Sequence, residues 1–431
     1  MQLVRGLDPG AEPHRYFDRA TAGSPKWAIC EEASRACSAA WGKTLEAVVL
    51  TGSMARDEAS FLEEHGWWKL LGDAEFVLVF ENAQPLPNGA SLAQTARQVE
   101  TRLEKRSITA SIEFSAVNPT YLRTLRPHLY GYELRSSGQV VWGNPLILSL
   151  IPQFSSLQIP LEDAWRLLCN RIVEQVQVAA QIESTWPTFP LPVCYRTIKL
   201  YLDMATSLLL FLGIYAPTYH GRSVHLKSLA ENSAGPGQLP FPLAEFSKLV
   251  EACTEWKLSP RETTPCDDRN VWTRAVNHAR LLWRWELDRL TGARSHSSGR
   301  DALFHWMQLQ PLHKRLRGWA YVLRACGWHR SWQHWPHWVK LGWRASPRYW
   351  VYAAATELFF KLDDLIALAQ EPLSDGVDIH ELRSWLPLSE KSRESGVGSA
   401  KDATCCPQGA WQRVAAEIAW NYHQFLEGTR A

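Results

Sequence analysis

Strand-like runs crowd into the first third of this 431-residue chain, and after about residue 155 they almost disappear. A chain divided in this way folds as a small sheet with helices against it, followed by a region that is helical throughout. The expected class is therefore α+β with a small mixed sheet, followed by an all-α bundle.

In the first part, "PKWAICEEASRACSAAWGK" has apolar residues at helical spacing and "LEAVVLTG" is a buried strand ending in a turn. "EFVLVFE" reads as a second strand, "ASLAQTARQVETRLEKR" as an amphipathic helix and "ITASIEFSAV" as a third strand with alternating character. "YGYELRSSGQVVWGNP" reads as a hairpin about Ser136-Ser137-Gly138.

From Leu161 onward, long segments such as "LEDAWRLLCNRIVEQVQVAAQIE" and "CYRTIKLYLDMATSLLLFLGIY" are helical, and the Pro- and Gly-rich "STWPTFPLP" and "NSAGPGQLPFP" break them. "GARSHSSGRD" reads as a linker. The expected division is residues 1–155, residues 156–293 and a Trp-rich helical extension over 294–431. A polar, mobile loop is expected near 390–408.

Lys and Arg number 46 against 44 Asp and Glu, a net charge of +2. No global field draws such a chain to nucleic acid or to an anionic membrane, so contact of that kind has to be local. The longest apolar run, "MATSLLLFLGIYA" from Met204, is too short to span a bilayer and is expected to be a buried helix. "MQLVRGLDPGAEPHRYF" lacks the apolar core of a signal peptide, and nine scattered cysteines without a C-x-x-C pair suit a reducing cytoplasm.

Residues two apart on a strand share a face, so Asp73 and Glu75 project together while Ala74 and Phe76 turn to the core. Two adjacent carboxylates repel, and a divalent cation with a preference for oxygen, Mg²⁺ or Mn²⁺, relieves that repulsion. Glu113 interrupts an otherwise apolar strand and adds a third carboxylate if the two strands are neighbours. Gly52-Ser53 follows "AVVL" and precedes "SMARDEASFLEEH", which reads as helical and would place free N–H groups and a hydroxyl at a helix start, an anion site.

Gly52-Ser53, Asp73-x-Glu75 and Glu113 together resemble the signature of the nucleotidyltransferases of the DNA polymerase β superfamily. The helical region resembles the partner domain of its small-molecule members, such as the aminoglycoside-modifying enzymes. The resemblance implies a polymerase-β-like domain and in-line attack of an acceptor hydroxyl on the α-phosphate of a nucleoside triphosphate, with pyrophosphate released. It implies that Asp73, Glu75 and Glu113 are catalytic and hold Mg²⁺ or Mn²⁺, and that Gly52 and Ser53 bind the β- and γ-phosphates. Arg56 and Lys199 would add nucleotide contacts. Two features depart from the pattern: the segment between Ser53 and Asp73 is long, so that "FLEEHGWWKLLG" extends the helix or adds a loop, and the second acid is Glu rather than Asp.

Each residue also has a plainer reading. Arg56 pairs with Glu58 or a nearby acid, and Lys199 pairs with Asp203 four residues on. "HKRLRGWAYVLRACGWHRSWQHWPHWVKLGWRASPRYW" is suited to stacking bases or to anchoring at a membrane interface, and equally to a bundle with tryptophans inside and arginines outside. His329, His334 and His337 lack the spacing of a metal site. The expected partners are a nucleoside triphosphate and a small-molecule hydroxyl acceptor, with no transmembrane segment; nucleic acid is not the expected partner but is kept open. The alternatives are a non-catalytic nucleotide-sensing or interaction protein of the same fold, and a nucleic-acid-directed or toxin–antitoxin-type transferase.

Overall fold

The computed structural model describes residues 23–182, 188–232, 239–292, 298–326, 334–362, 378–388 and 409–426. His329 and the loop expected near 390–408 lie outside these residues. The chain divides into two units: Met1–Pro160 with Gly213–His225 and Thr254–Thr263, and Leu161–Leu212 with Leu226–Cys253 and Thr264–Ala431. Two later segments return to the first unit, and the second takes in residues on both sides of 293.

The first unit opens on helix α1 (Pro25–Trp41), where Ser24 caps the Trp27 N–H and Pro25 supplies a preset φ. Strand β1 (Leu45–Leu50) lies in the middle of the sheet, antiparallel to both β3 (Trp67–Phe80) and β5 (Gln139–Gly143). On its other edge β3 runs parallel to β4 (Ile108–Val117), and helix α3 (Gly89–Glu104) connects the two. A parallel pair needs such a crossover, because its two strands start at the same end. The sheet is thus mixed, as expected.

Alternation assigns the two faces. Val48, Leu50, Ala74, Phe76, Ile112 and Phe114 pack with α1 and α3 in one core. Ala47, Val49, Val77 and Val79 pack on the opposite face with Leu122 of α4 (Pro119–Arg123) and Leu134 of α5 (Leu129–Ser137).

Two local expectations are overturned. The stretch after Gly52-Ser53 is not a long helix: α2 is only Gly52–Ala55, and β2 (Phe61–Glu64) then pairs antiparallel with the start of β3. "EEHGWW" makes the turn, with φ of 53° at His65 and 81° at Gly66. Two successive positive φ values match the right-handed twist of the flanking strands, so the extra residues form a hairpin. The segment around Ser136-Ser137-Gly138 is likewise no hairpin, since its first arm is α5, capped by His128 Nδ1 accepting from the Gly131 N–H at 2.7 Å. Burial of Leu134 favours the helix there.

The described part of the second unit is helical. It contains α6 (Leu161–Ala179), α7 (Leu191–Phe211), most of α9 (Leu243–Leu258), α10 (Arg269–Thr291), α11 (Gly299–Leu309) and α12 (Leu312–Cys326). α13 (Trp335–Gly342), α14 (Pro347–Phe359), α15 (Ile379–Trp385) and α16 (Ala410–Leu426) follow. The remaining helix, α8 (Tyr219–Glu231), opens inside the returning segment of the first unit.

The apolar run from Met204 lies in α7, where Met204–Leu210 are all buried. No helix among the described residues is long and apolar enough to cross a membrane. Trp165 stacks on Tyr349 at 5.9 Å, and Trp319, Trp338 and Trp350 are buried with each indole N–H donating to a backbone carbonyl. The Trp-rich stretch is therefore in part a bundle core, although Trp335 and Trp343 are exposed.

Candidate functional site

Strand alternation sets the acidic residues on the face of the sheet that carries Val77 and Val79, just beyond the end of its apolar cover. Asp73 is exposed, Glu75 is half-buried and Ala74 between them is in the opposite core. On the parallel strand, Glu113 is the register partner of Glu75, and Ser111 is the partner of Asp73. Adjacent strands lie about 4.8 Å apart, so the Glu75 and Glu113 side chains leave the sheet side by side.

The Gly-Ser turn meets this pair. The Thr51 N–H donates to the Glu75 carbonyl at 2.9 Å, which ties the end of β1 to β3. Gly52 has φ +69°, and a Cβ built there would stand 3.3 Å from Glu75 Oε2. The left-handed backbone favours glycine here, and a side chain at this position would also press on the Glu75 carboxylate. The short helix α2 is a single turn, so little helix dipole is directed at this point.

Behind the turn lies a network of buried charge. Arg56 donates to Glu58 at 3.0 Å through Nε and to Glu133 of α5 at 3.0 Å through Nη1. Glu133 also accepts from Arg222 at 2.8 Å and from the Tyr215 hydroxyl, both on the segment that returns to this unit. Glu58 accepts the Tyr219 N–H at 2.6 Å, and the Arg56 guanidinium lies over the Tyr219 ring at 5.4 Å.

Burial alone would raise the Glu133 carboxyl, but Arg56 and Arg222, with the Tyr215 hydroxyl, hold it below the ordinary carboxylate range. Burial would lower Arg56, and Glu133 and Glu58 outweigh it, so this guanidinium stays charged. Arg56 thus sits in the pairing with Glu58 that the sequence allowed, extended by a second carboxylate. Sequence reading missed Glu133, Tyr215 and Arg222, since no local periodicity joins residues so far apart in the chain.

Lys199 lies in the second unit, on α7. The carboxylate of Asp203, its expected partner, instead accepts from Arg171 of α6 at 2.7 Å. Arg171 and Arg196 both pair with Glu174, and the Lys199 ammonium lies 5.7 Å from the centre of the Tyr195 ring. Burial, then repulsion from Arg171, pushes the Lys199 amine down, against the pull of Glu174.

The same unit contains a cavity of about 450 Å³ among Trp283, Arg284, Arg300, Phe304 and Trp385. Its arginines are largely spoken for: Arg284 pairs with Asp288 and Arg300 with Glu381. His334 stacks on Trp338 at 5.5 Å, and His337 Nε2 lies 3.0 Å from the Leu386 carbonyl, so both serve packing. Cys30, Cys37, Cys169, Cys194, Cys253 and Cys266 are free and buried, and burial pushes the Cys30 and Cys37 thiols up to about 12.

Among the described residues no group of three or more His, Cys, Asp or Glu side chains is arranged to hold a metal ion. In donor type and register the Glu75 and Glu113 pair fits a divalent cation. Asp73 faces Ser111 across the strands rather than a further carboxylate. Comparison of the chain with protein-family models, with curated proteins and with solved structures returns no match.

Proposed function

We propose that the first unit is a nucleotidyltransferase domain of the DNA polymerase β type, which moves a nucleotidyl group from a nucleoside triphosphate to a hydroxyl of a small molecule. The observation that carries this reading is the in-register placement of Glu75 and Glu113 on parallel strands, with the Glu75 carboxylate against the Gly52 turn. Paired carboxylates beside a glycine turn are what a metal-bound polyphosphate requires.

Glu75 and Glu113 would hold a Mg²⁺ or Mn²⁺ ion, with Asp73 at the exposed mouth of the same face. Such an ion, when bound, supplies charge neutralisation at the phosphate and a lowered pKa for the acceptor hydroxyl. Gly52 lets the backbone come close to a phosphate, and the Ser53 hydroxyl beside it offers a hydrogen bond. Arg56, Glu58 and Glu133 hold this turn in place, which keeps its N–H groups preorganised.

Pyrophosphate release, measured over the four nucleoside triphosphates with Mg²⁺ and a pool of small hydroxyl acceptors, tests the proposal. The wild type is expected to release pyrophosphate, and Asp73→Asn, Glu75→Gln and Glu113→Gln are expected to lose at least most of that activity. Equal release from wild type and all three variants ends the reading.

A second reading is favoured by the single-turn α2 and by Arg56 being committed to two carboxylates. It is a nucleotide-sensing protein that binds without turnover. Nucleotide binding that depends on Glu75 but yields no pyrophosphate with any acceptor selects it.

A further inference from the structure

Between Asp301 and Glu357 the chain has eight lysines and arginines and not one Asp or Glu, although the whole chain is nearly neutral. The structure gathers much of this stretch on one face of the second unit. Leu312 and Leu316, one turn apart on α12, are each 59% exposed, and Val339 on α13 is 60% exposed. Trp343, just past the end of α13, is 82% exposed. Large apolar side chains left this open, on two helices joined by the Arg315 bond to the Trp343 carbonyl, mark a contact surface rather than chance exposure.

The face is fixed in shape. Arg315 donates to the Gln308, Gln310 and Trp343 carbonyls, which joins the end of α11, the start of α12 and the end of α13. Beneath it, Trp319 and Trp338 pack at 6.1 Å, and Trp319 donates to the Ala345 carbonyl at 2.8 Å. Arg317, Lys340 and Arg344 are exposed around the apolar residues.

We propose that this face docks on the surface of an anionic phospholipid membrane. Lipid satisfies both halves of the surface: the headgroups take the cations, and the boundary with the acyl chains takes Leu312, Leu316, Val339 and the indole of Trp343. A nucleic acid would match the charge and stack on tryptophan, but it offers no apolar medium to the leucines and the valine. A second copy of the same face would bring like charges together. The proposal is independent of the activity assigned to the first unit.

Co-sedimentation of the full chain with vesicles tests it. One set contains phosphatidylcholine alone, and the other contains phosphatidylcholine with phosphatidylserine. The wild type is expected to bind the second set, less tightly as salt rises, and the first set at least about tenfold more weakly. Trp343→Ser with Leu316→Ser, and separately Lys340→Glu with Arg344→Glu, should each weaken binding by about tenfold. All four side chains are exposed, and an unchanged melting temperature shows that each variant folds.

Failure of the wild type to bind phosphatidylserine vesicles overturns the proposal. So does binding that responds to the charge reversals and not to the serine pair, particularly if single-stranded DNA competes for it. Self-association lost in the serine pair, without vesicle binding, assigns the face to a second copy instead.

Discussion

Gly52 lies beside Glu75 at the mouth of the sheet, so that a β-carbon added at residue 52 would stand 3.3 Å from the Glu75 carboxylate. The same residue holds φ +69°, where an L side chain is strained. Gly52→Ala therefore carries two costs, a backbone cost of about 1 kcal/mol and displacement of a carboxylate proposed to hold a cation. The variant is expected to fold, with a melting temperature lowered by a few degrees, and to lose Mg²⁺-dependent nucleotide binding. Nucleotide affinity equal to wild type, measured by calorimetry, removes the turn from the site.

Glu75 and Glu113 are in register on neighbouring parallel strands, where both carboxylates could reach one cation. Glu113→Gln removes one of the two carboxylates proposed to hold the ion and is expected to weaken Mg²⁺ binding measured by calorimetry. It should also abolish any rise of the melting temperature with Mg²⁺. A thermal shift with Mg²⁺ that is the same in wild type and variant shows that this pair does not bind the ion.

Those two carboxylates were legible in the sequence because period-two alternation reports which side chains share a face, and Ile112 and Phe114 on either side of Glu113 are buried as that pattern requires. Apolar residues at helical rather than alternating spacing placed α1, α3 and the buried run of α7. Alternation says nothing of partners. Asp203 stood at the right spacing for Lys199, yet Arg171 on a neighbouring helix takes it. The hairpin of β2 escaped notice because His65-Gly66 sits in a stretch read as the continuation of a helix, without the Asn-Gly or Asp-Gly pair that marks a two-residue turn. The return of Gly213–His225 to the first unit depends on burial of Arg222 against Glu133, a pairing of residues 89 positions apart.

That pairing makes a strong prediction. Glu133→Gln keeps the shape but leaves Arg56 and Arg222, both almost fully buried, with less compensating charge. Removing one member of a buried ion network costs roughly 3 kcal/mol or more. The Glu133 carboxyl is held below its ordinary range in the folded protein, so its contribution is complete above that range and is lost as pH falls through the lowered value. Chemical denaturation of wild type and variant should thus differ most at neutral pH and converge in acid. A variant as stable as wild type at neutral pH shows that the network contributes nothing net.

The opposite sign applies to Glu286, which is fully buried on α10 and accepts a hydrogen bond from the Ser207 hydroxyl at 2.6 Å. Its other oxygen has no partner. Burial raises this carboxyl from 4.5 to about 8, and the Ser207 bond only partly offsets the rise. Between those two values the folded protein keeps a proton that the unfolded chain has released. Stability therefore falls as pH rises through that window, by as much as about 1.4 kcal/mol per pH unit at full slope. Glu286→Gln is isosteric and uncharged, and it is expected to remove this slope whatever it does to absolute stability. Unfolding by urea at a series of pH values between the two limits measures it. A variant whose stability still falls with pH as steeply as wild type shows that Glu286 is ionised in the folded protein, and that the bond from Ser207 outweighs its burial.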